Sequence, residues 1–559
     1  MLGKILQSTS VALLALVGFL AATASGAGAA ACGANQRQLN VKNSASQDTW
    51  VGGGGGALRS VCVVSTSESC LPAASTINAG TGACQCGTDS GTLACPATSQ
   101  PIGTKTNGGL NCQCATDADC GPTAGCNTNV GVCYFVLPQA KSPASFDWKL
   151  PRGRTAQFCL DPASVTWNSQ TIPSAVWWSG GIFARTGCKS DGTGCTNGDC
   201  GAQPNSNCPA GVGGNNPVTL AEFTLQRQDN DFYDISVING ANLAETMAPM
   251  PAPTATPGTV SKQYWCKQPG NRSSPFRGLG CNWNFGKYVK EVPFPSLSST
   301  TDYTPLLLDS SATCDTAANP TGCPTGYTCS GSPGACIKTC STDNDCTGTG
   351  QSHCVSGGNG TNYCQCQAEK DCAGNGYCGI QFIPGVGPNQ TFLQECGKFA
   401  GWWSVDDLCA NQNNIVGPFN CGASITDGDS TSSTNLASLF GCTVRGGSSP
   451  GNGTSCYNQG TAATYPKTCC GCATEDQSDT SLGQFWPKNG TGACFGNDTT
   501  WASQVQPFLV NLKQACPTAY SYPYDDVTST FQCRSKKTIN TLGYAVTFGN
   551  LVKPAAPKK

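Results

Sequence analysis

Between Val218 and Leu243 the chain reads VTLAEFTLQRQDNDFYDISVINGANL, and apolar and polar residues alternate there in two short runs. Ala221–Leu225 and Phe232–Val237 show the two-residue period of strands with one buried face, and the polar stretch Gln226–Asp231 between them is rich in turn formers. The pattern predicts a hairpin. It places Glu222 in the first run and Asp234 in the second, so both carboxylates could face one side of a small sheet. Read alone, such a pair is first of all two hydrogen-bonded structural acids, and otherwise a candidate site. Similar strand patterns lie in Gln38–Val51, in Gly180–Thr186 after Trp177 and Trp178, around Phe531, and in Tyr544–Phe548. One helix is expected: Thr500 can cap Trp501–Ala515, whose Trp501, Val505, Phe508, Leu509 and Leu512 make an apolar stripe suited to the core. Pro249–Pro257 reads as an extended linker.

Composition narrows the class. At 559 residues the chain is long enough for two or three compact units. Only 11% of residues are charged and the net charge is −2, which offers no basic surface for nucleic acid and no polybasic membrane patch. Met1 to about Ala31 has Lys4, an apolar run Val11–Leu20 and small residues at Ala22–Ala24, the pattern of a secretory signal peptide. An extracellular, secreted protein is therefore expected. Forty cysteines then read as a disulfide framework, and the one histidine, His353, excludes mixed zinc sites. No cofactor and no metal is expected. Asp117 and Asp119, or Asp343 and Asp345, lack the long acidic loop of a calcium hand and read as turn acids beside cysteines. Sequons stand at Asn271, Asn359, Asn389, Asn452, Asn489 and Asn497.

Two stretches are too poor in large apolar residues to build a core. Leu58–Leu137 holds ten cysteines and Ser310–Gly397 holds twelve. Cys112, Cys114, Cys120 and Cys126 have the same spacing as Cys364, Cys366, Cys372 and Cys378, with Asp119 and Asp371 directly before the third cysteine of each set. Asp345 stands likewise before Cys346. The two stretches read as related disulfide-stapled insertions whose pairing the sequence leaves open. The cluster Cys469, Cys470 and Cys472 reads as structural staples, not a redox motif.

The central hairpin resembles the thaumatin-like proteins, together with GGIFARTGC (Gly180–Cys188), CTNGDCG (Cys195–Gly201), the pair Cys469 and Cys470, CPTAYSYPYDDVTSTFQC (Cys516–Cys533) and YAVTF (Tyr544–Phe548). The resemblance covers somewhat over half the mature chain, in separated blocks. It implies a mainly-β fold: a flattened β-sandwich, a disulfide-rich second lobe of loops and a helix, and an acidic cleft. Laid on the chain, this gives a signal peptide at 1–31, the start of the sandwich at 32–57, insertion one at 58–137, and the sandwich core and cleft at 138–309. Insertion two follows at 310–397, the second lobe at 398–483, the helix and closing strands at 484–550, and a Pro-rich basic tail at 551–559. It also implies the pairs Cys188–Cys195, Cys200–Cys208, Cys266–Cys533 and Cys281–Cys516. The family's cysteine pair joining first and last strands is replaced by Ser44 and Gly549, so those strands are expected to be held by hydrogen bonds and packing alone, with a loss of about 2–4 kcal/mol.

The resemblance further implies β-1,3-glucan or a related wall polysaccharide as ligand, with an antifungal, defence or wall-remodelling role. Of the family's five cleft positions, one Arg, one Glu and three Asp, Glu222 and Asp234 match. The Arg falls on Gly181, one Asp on Asn239, and the last on either Asp525 or Asp526. Phe183, Phe232 and Tyr233 could stack on sugar rings, although core packing is the plainer reading of any single ring. The enzymatic alternative is a weak endo-β-1,3-glucanase with Glu222 as acid and Asp234 as its partner. Asn239 in place of an acid removes a like charge that would help keep Glu222 protonated, so binding tolerates these changes better than hydrolysis. A third alternative is a protein partner engaged by the insertions.

Overall fold

Thirteen strands build the sandwich in the computed structural model: β1 (Arg37–Asn43), β2 (Thr49–Ala57), β3 (Ala124–Asn127), β4 (Val132–Val136), β5 (Lys149–Leu150), β6 (Thr155–Leu160), β7 (Val176–Arg185), β8 (Leu220–Gln226), β9 (Asp231–Ser236), β10 (Ala244–Met250), β11 (Ala519–Tyr520), β12 (Phe531–Cys533) and β13 (Gly543–Gly549). Two helices, α1 (Gln506–Ala515) and α2 (Asp526–Ser529), lie late in the chain. The structure describes residues 32–58, 132–167, 170–173, 176–251, 264–273, 280–285, 391–404, 506–523 and 525–553, with parts of the two cysteine-rich stretches and two short strands at 424–426 and 433–435. The signal peptide, the sequons other than Asn271, the Cys469–Cys472 cluster and the start of the expected helix lie outside the described residues.

The fold is mainly β, as the alternating pattern predicts. One sheet has four strands in the order β6-β1-β13-β10, and the other has nine, with β11-β9-β8-β7-β2-β4-β3 as its path. Along β8 every second residue is buried, so Ala221, Phe223 and Leu225 enter the core while Leu220, Glu222 and Thr224 face outward. Between the sheets, Phe223 packs on Trp178 and Tyr544, and Tyr233 packs on Tyr544 and Phe531. Such aromatic pairs contribute about 0.5–1.5 kcal/mol beyond their burial.

Several expectations change in detail. The glycine run Gly52–Gly56, at the end of the block 32–57, forms most of β2 in the large sheet. Close packing demands it: a Cβ on Gly52 would lie 2.3 Å from the Phe183 ring, and one on Gly55 would lie 1.8 Å from the Ser179 carbonyl oxygen. The end of the first cysteine-rich stretch joins the same sheet, because β3 and β4 pair beyond β2. Pro249 and Met250 belong to β10, opposite Tyr544 and Gly543, and not to a linker. β1 and β13 pair in parallel without the family's disulfide, helped by Ser44 N–H donating to Phe548 O at 2.8 Å and by Ser46 donating to Asn550 Oδ1. Hydrogen bonds do not act alone there. A disulfide absent from the sequence reading, Cys32–Cys159, ties the residue leading into β1 to β6 across 127 positions.

The second cysteine-rich stretch repeats one plan. Cys340–Cys354 interlocks with Cys346–Cys364, and Cys366–Cys378 interlocks with Cys372–Cys396. Asp117 accepts the Cys126 amide and Asp343 accepts the Cys354 amide, each at 2.7 Å, which makes both of them turn acids. The cysteine trios Cys340, Cys346, Cys364 and Cys366, Cys372, Cys396 converge in space, but their sulfurs are in these disulfides and offer no thiolate. The strand Thr391–Trp402 then docks on the sandwich: Ala241 and Trp402 exchange backbone hydrogen bonds, and Ser404 Oγ donates to Ile238 O at 2.6 Å.

Glu245 on β10 is fully buried, and its carboxylate oxygens have no well-formed hydrogen bond. Burial pushes its pKa well above the ordinary 4.5, with only a weak offset from the Ala184 amide, and burial likewise pushes Glu395 up to about 8. The folded chain therefore holds a proton that the unfolded chain releases above pH 4.5, and this contribution destabilises the fold as pH rises. Glu245→Gln is expected to raise the melting temperature at pH 8 by the equivalent of about 1–3 kcal/mol, with the gain fading toward pH 4.5. Thermal melts across that range check it; a gain independent of pH would contradict the assignment.

Candidate functional site

Register brings the two hairpin acids together. Glu222 of β8 stands directly opposite Asp234 of β9, and the same row continues through Gly181 of β7 to Gly54 of β2. The row beside it holds Phe232, Thr224 and Ser179, whose hydroxyl lies 3.3 Å from that of Thr224. These side chains share the outer face of the large sheet because they alternate with core residues. Above that face lies a cleft with a volume of about 510 Å³, walled at one end by Gly213 and Gly214 and at the other by Tyr520 and Pro523. Glu222, Asp234, Asn239, Phe183 and Phe232 all line it.

Glu222 is half-buried on this face. Desolvation raises its pKa, and a hydrogen bond from Ser236 opposes that rise only in part. Phe232 is 38% exposed, one of the few large apolar side chains on the described surface. Phe183 is buried, and it contributes to the floor while packing with Cys200, Cys208 and Val218.

Two candidate residues lie elsewhere. Tyr233 points to the opposite face, fully buried, and its hydroxyl donates to Lys267 O at 2.7 Å. The two-residue period of β9 explains this, since Phe232 and Asp234 on either side face the cleft. Asp525 is also fully buried and does not line the cleft: it pairs with Lys513 Nζ at 2.6 Å and accepts from Ser521 and Thr528. Asp526 opens α2, and its side chain is outside the described set. The disulfides Cys188–Cys195, Cys200–Cys208, Cys266–Cys533 and Cys281–Cys516 are all formed, stitching the loops behind the cleft to the sheet. Arg185, the arginine retained in the FAR motif, is buried and donates to Gly192 O and Ser206 O, so it braces that loop from inside. Asn271 uses its side chain in a local turn with Gln268 and Ser273.

The sequence reading missed two buried ion pairs. Arg37 chelates Asp231 with its two terminal guanidinium nitrogens, while Tyr544 Oη and the Gln226 amide also donate to that carboxylate. Lys513, in the last turn of α1 and four residues after the buried Leu509, meets Asp525. The available signal was the same in both cases: a charge at a position whose period is buried.

Comparison with known proteins agrees with this architecture. The thaumatin family model matches residues 152–378. A thaumatin-like protein of Oryza sativa subsp. japonica is 35% identical over 133 residues, 23% of this chain and 65% of the relative. An osmotin-like protein of Solanum lycopersicum is 40% identical over 126 residues, 22% of this chain and 46% of the relative. A thaumatin-like protein of Arabidopsis thaliana is 45% identical over 76 residues, 13% of this chain and 30% of the relative. The matched part thus spans between about a third and two thirds of these relatives' length. Among solved structures, a thaumatin-like xylanase inhibitor aligns over 38% of this chain and 76% of its own at 15% identity, with a TM-score of 0.15. In its paired cysteines and its matched central region, the chain is similar to the thaumatin-like proteins.

Proposed function

We propose that this chain is a secreted protein that recognises an extracellular wall polysaccharide in the cleft, with β-1,3-glucan the class implied by the family resemblance. The observation that carries the reading is the cross-strand pair Glu222 and Asp234 in an open cleft beside the exposed ring of Phe232. Carboxylates accept hydrogen bonds from sugar hydroxyls, and an exposed ring offers a stacking face. A defence or wall-remodelling role follows from that binding.

Hydrolysis is the second reading, and one observation favours it: burial holds the Glu222 pKa up beside a second carboxylate. The placement argues for binding instead. Glycosidases flank the scissile bond with their two carboxyls, whereas Glu222 and Asp234 approach any ligand from the same sheet face. The cysteine-rich insertions leave room for a protein partner as a separate activity.

Glu222→Gln is expected to weaken glucan binding by roughly ten- to a hundredfold, the loss expected for a charged hydrogen bond of about 1.5–3 kcal/mol. The measurement is depletion of the secreted protein by insoluble β-1,3-glucan, beside an assay of released reducing ends. A wild type that stays in solution removes the glucan reading, and reducing ends released by the wild type alone would favour hydrolysis.

A further inference from the structure

The cleft wall at Gly213 and Gly214 belongs to a segment with little shape of its own. Pro209–Gly214 reads PAGVGG, with three glycines in six residues, and Gly211 adopts a φ of +73°. Its two ends are tied down. The disulfide Cys200–Cys208 anchors the start. At the other end Gly214 lies on the Phe183 ring, where a Cβ would come 2.6 Å from Cε2, and Asn215 N–H donates to Asp199 O at 2.7 Å. Between the two anchors the chain bends through one turn, Val212 N–H donating to Pro209 O at 3.1 Å.

The middle of the segment rests on the end of the first cysteine-rich insertion. There β3 and β4 extend the cleft-bearing sheet beyond β2, and Cys120–Cys133 ties β4 to the residues leading into β3. Along β4, Phe135 is buried while Tyr134 and Val136 face outward, and Val136 stands opposite Gly54 in the row that runs through Gly181 to Glu222. Tyr134 is therefore on the cleft side of the sheet without lining the cleft. Its ring lies on the backbone of Gly211, where a Cβ would come 2.7 Å from Cε2. Asn127 Nδ2 of β3 donates to Ala210 O at 3.0 Å, and the Ala210 methyl covers Gly125, where a Cβ would lie 3.1 Å from it. One hairpin thus grips two consecutive residues of the wall segment, and its own place is fixed by sheet pairing and a disulfide.

We propose that this hairpin is a brace for the cleft, with Tyr134 and Asn127 as positioning residues that hold the wall at Gly213 and Gly214 in place while touching no ligand themselves. A glycine-rich wall that had to be ordered at each binding event would cost affinity, and a wall already held in place removes most of that cost. The ligand in this inference rests on the polysaccharide reading, to which the brace adds what sets the shape of the cleft. It also gives the end of the first insertion a task within the cleft, apart from any protein partner the insertions engage.

The test uses the full-length, disulfide-intact secreted protein with Tyr134→Ala, Tyr134→Phe and Asn127→Asp made separately. Asn127→Asp keeps the acceptor used by the Asn129 amide and loses the donor to Ala210 O. Hydrogen exchange is followed at the Val212 and Asn215 amides, with the amides of β8 and β9 as reference, and binding is measured with soluble linear β-1,3-glucan oligosaccharides. Tyr134→Ala and Asn127→Asp are expected to speed exchange at Val212 and Asn215 by roughly tenfold or more, with β8 and β9 unchanged, and to weaken binding by roughly three- to tenfold. Tyr134→Phe keeps the ring on Gly211 and is expected to match wild type in both measurements. Unchanged exchange at Val212 and Asn215 in both Tyr134→Ala and Asn127→Asp overturns the brace. Exchange that rises equally in β8 and β9 overturns it too, because Tyr134 would then be supporting the whole sheet. Faster wall exchange with unaltered binding overturns the positioning role. If wild type binds no oligosaccharide, the polysaccharide reading falls, and the exchange comparison decides the brace by itself.

Discussion

Asp525→Ala is expected to destabilise the protein by about 3–5 kcal/mol, which would make it one of the two most damaging single substitutions in the described residues. The reason lies in what is left behind. Lys513 Nζ is buried against Asp525, the hydroxyls of Thr528 and Ser529 and the carbonyl of Ala519, and removing the carboxylate strands an ammonium group with no anion. Burial already pulls the Lys513 pKa down, and Asp525 is the group that opposes this. A second substitution makes the mechanism testable. Lys513→Met added to Asp525→Ala removes both charges, so the double variant is expected to be more stable than Asp525→Ala alone. Chemical denaturation midpoints of the disulfide-intact protein provide the comparison. A double variant as damaged as the sum of its parts would show that the pair is not the coupling element. Any surviving Asp525→Ala protein should still be depleted by glucan, which separates this acid from the cleft set to which sequence matching assigned it.

Asp231→Ala is expected to cost a similar amount, about 3–5 kcal/mol, through a different part of the sandwich. Asp231 closes the hairpin turn by accepting the Gln226 amide at 2.8 Å, and it also binds Arg37 of β1 and the Tyr544 hydroxyl of β13. Arg37 in turn donates to Leu542 O at 2.7 Å. One carboxylate thus links the cleft-bearing hairpin to both terminal strands of the opposite sheet, where the family's terminal disulfide is missing. Its loss leaves a guanidinium buried without its counter-ion and loosens the turn that sets the Glu222–Asp234 register. The expected signature is a lower melting temperature together with weaker glucan binding, whereas Asp231→Asn, which keeps the shape and part of the hydrogen bonding, is expected to lie between the two. Full stability in Asp231→Ala would show that β1 and β13 are held by their ladder and by Cys32–Cys159 alone.

The hairpin, its two acids and the stapled character of the chain were legible in the amino-acid sequence, because a two-residue period and a cysteine count are local or additive properties. The same local property separated Phe232 and Asp234 from Tyr233 once the strand start was known, yet the face that met the core was not a local matter. Tyr233 is a stacking candidate on the hairpin and Asp525 one of two candidates for the last cleft acid, and the structure puts both in the interior, where Lys267 O takes the Tyr233 hydroxyl and Lys513, Ser521 and Thr528 surround Asp525. Arg37 and Asp231 are 194 positions apart and Cys32 and Cys159 are 127 apart, so no window of sequence shows either partnership. The glycines make the contrast sharpest. From sequence, Gly52–Gly56 lies in the block 32–57 with nothing to tell one glycine from the next. Only the packing of β2 against β7 shows that sterics require Gly52 and Gly55, since a Cβ on either would meet Phe183 or Ser179. The sequence by itself determined which residues could pair and which faces could be apolar. The tertiary structure decided which charges were buried and which rings met solvent, since both depend on contacts between strands far apart in the chain.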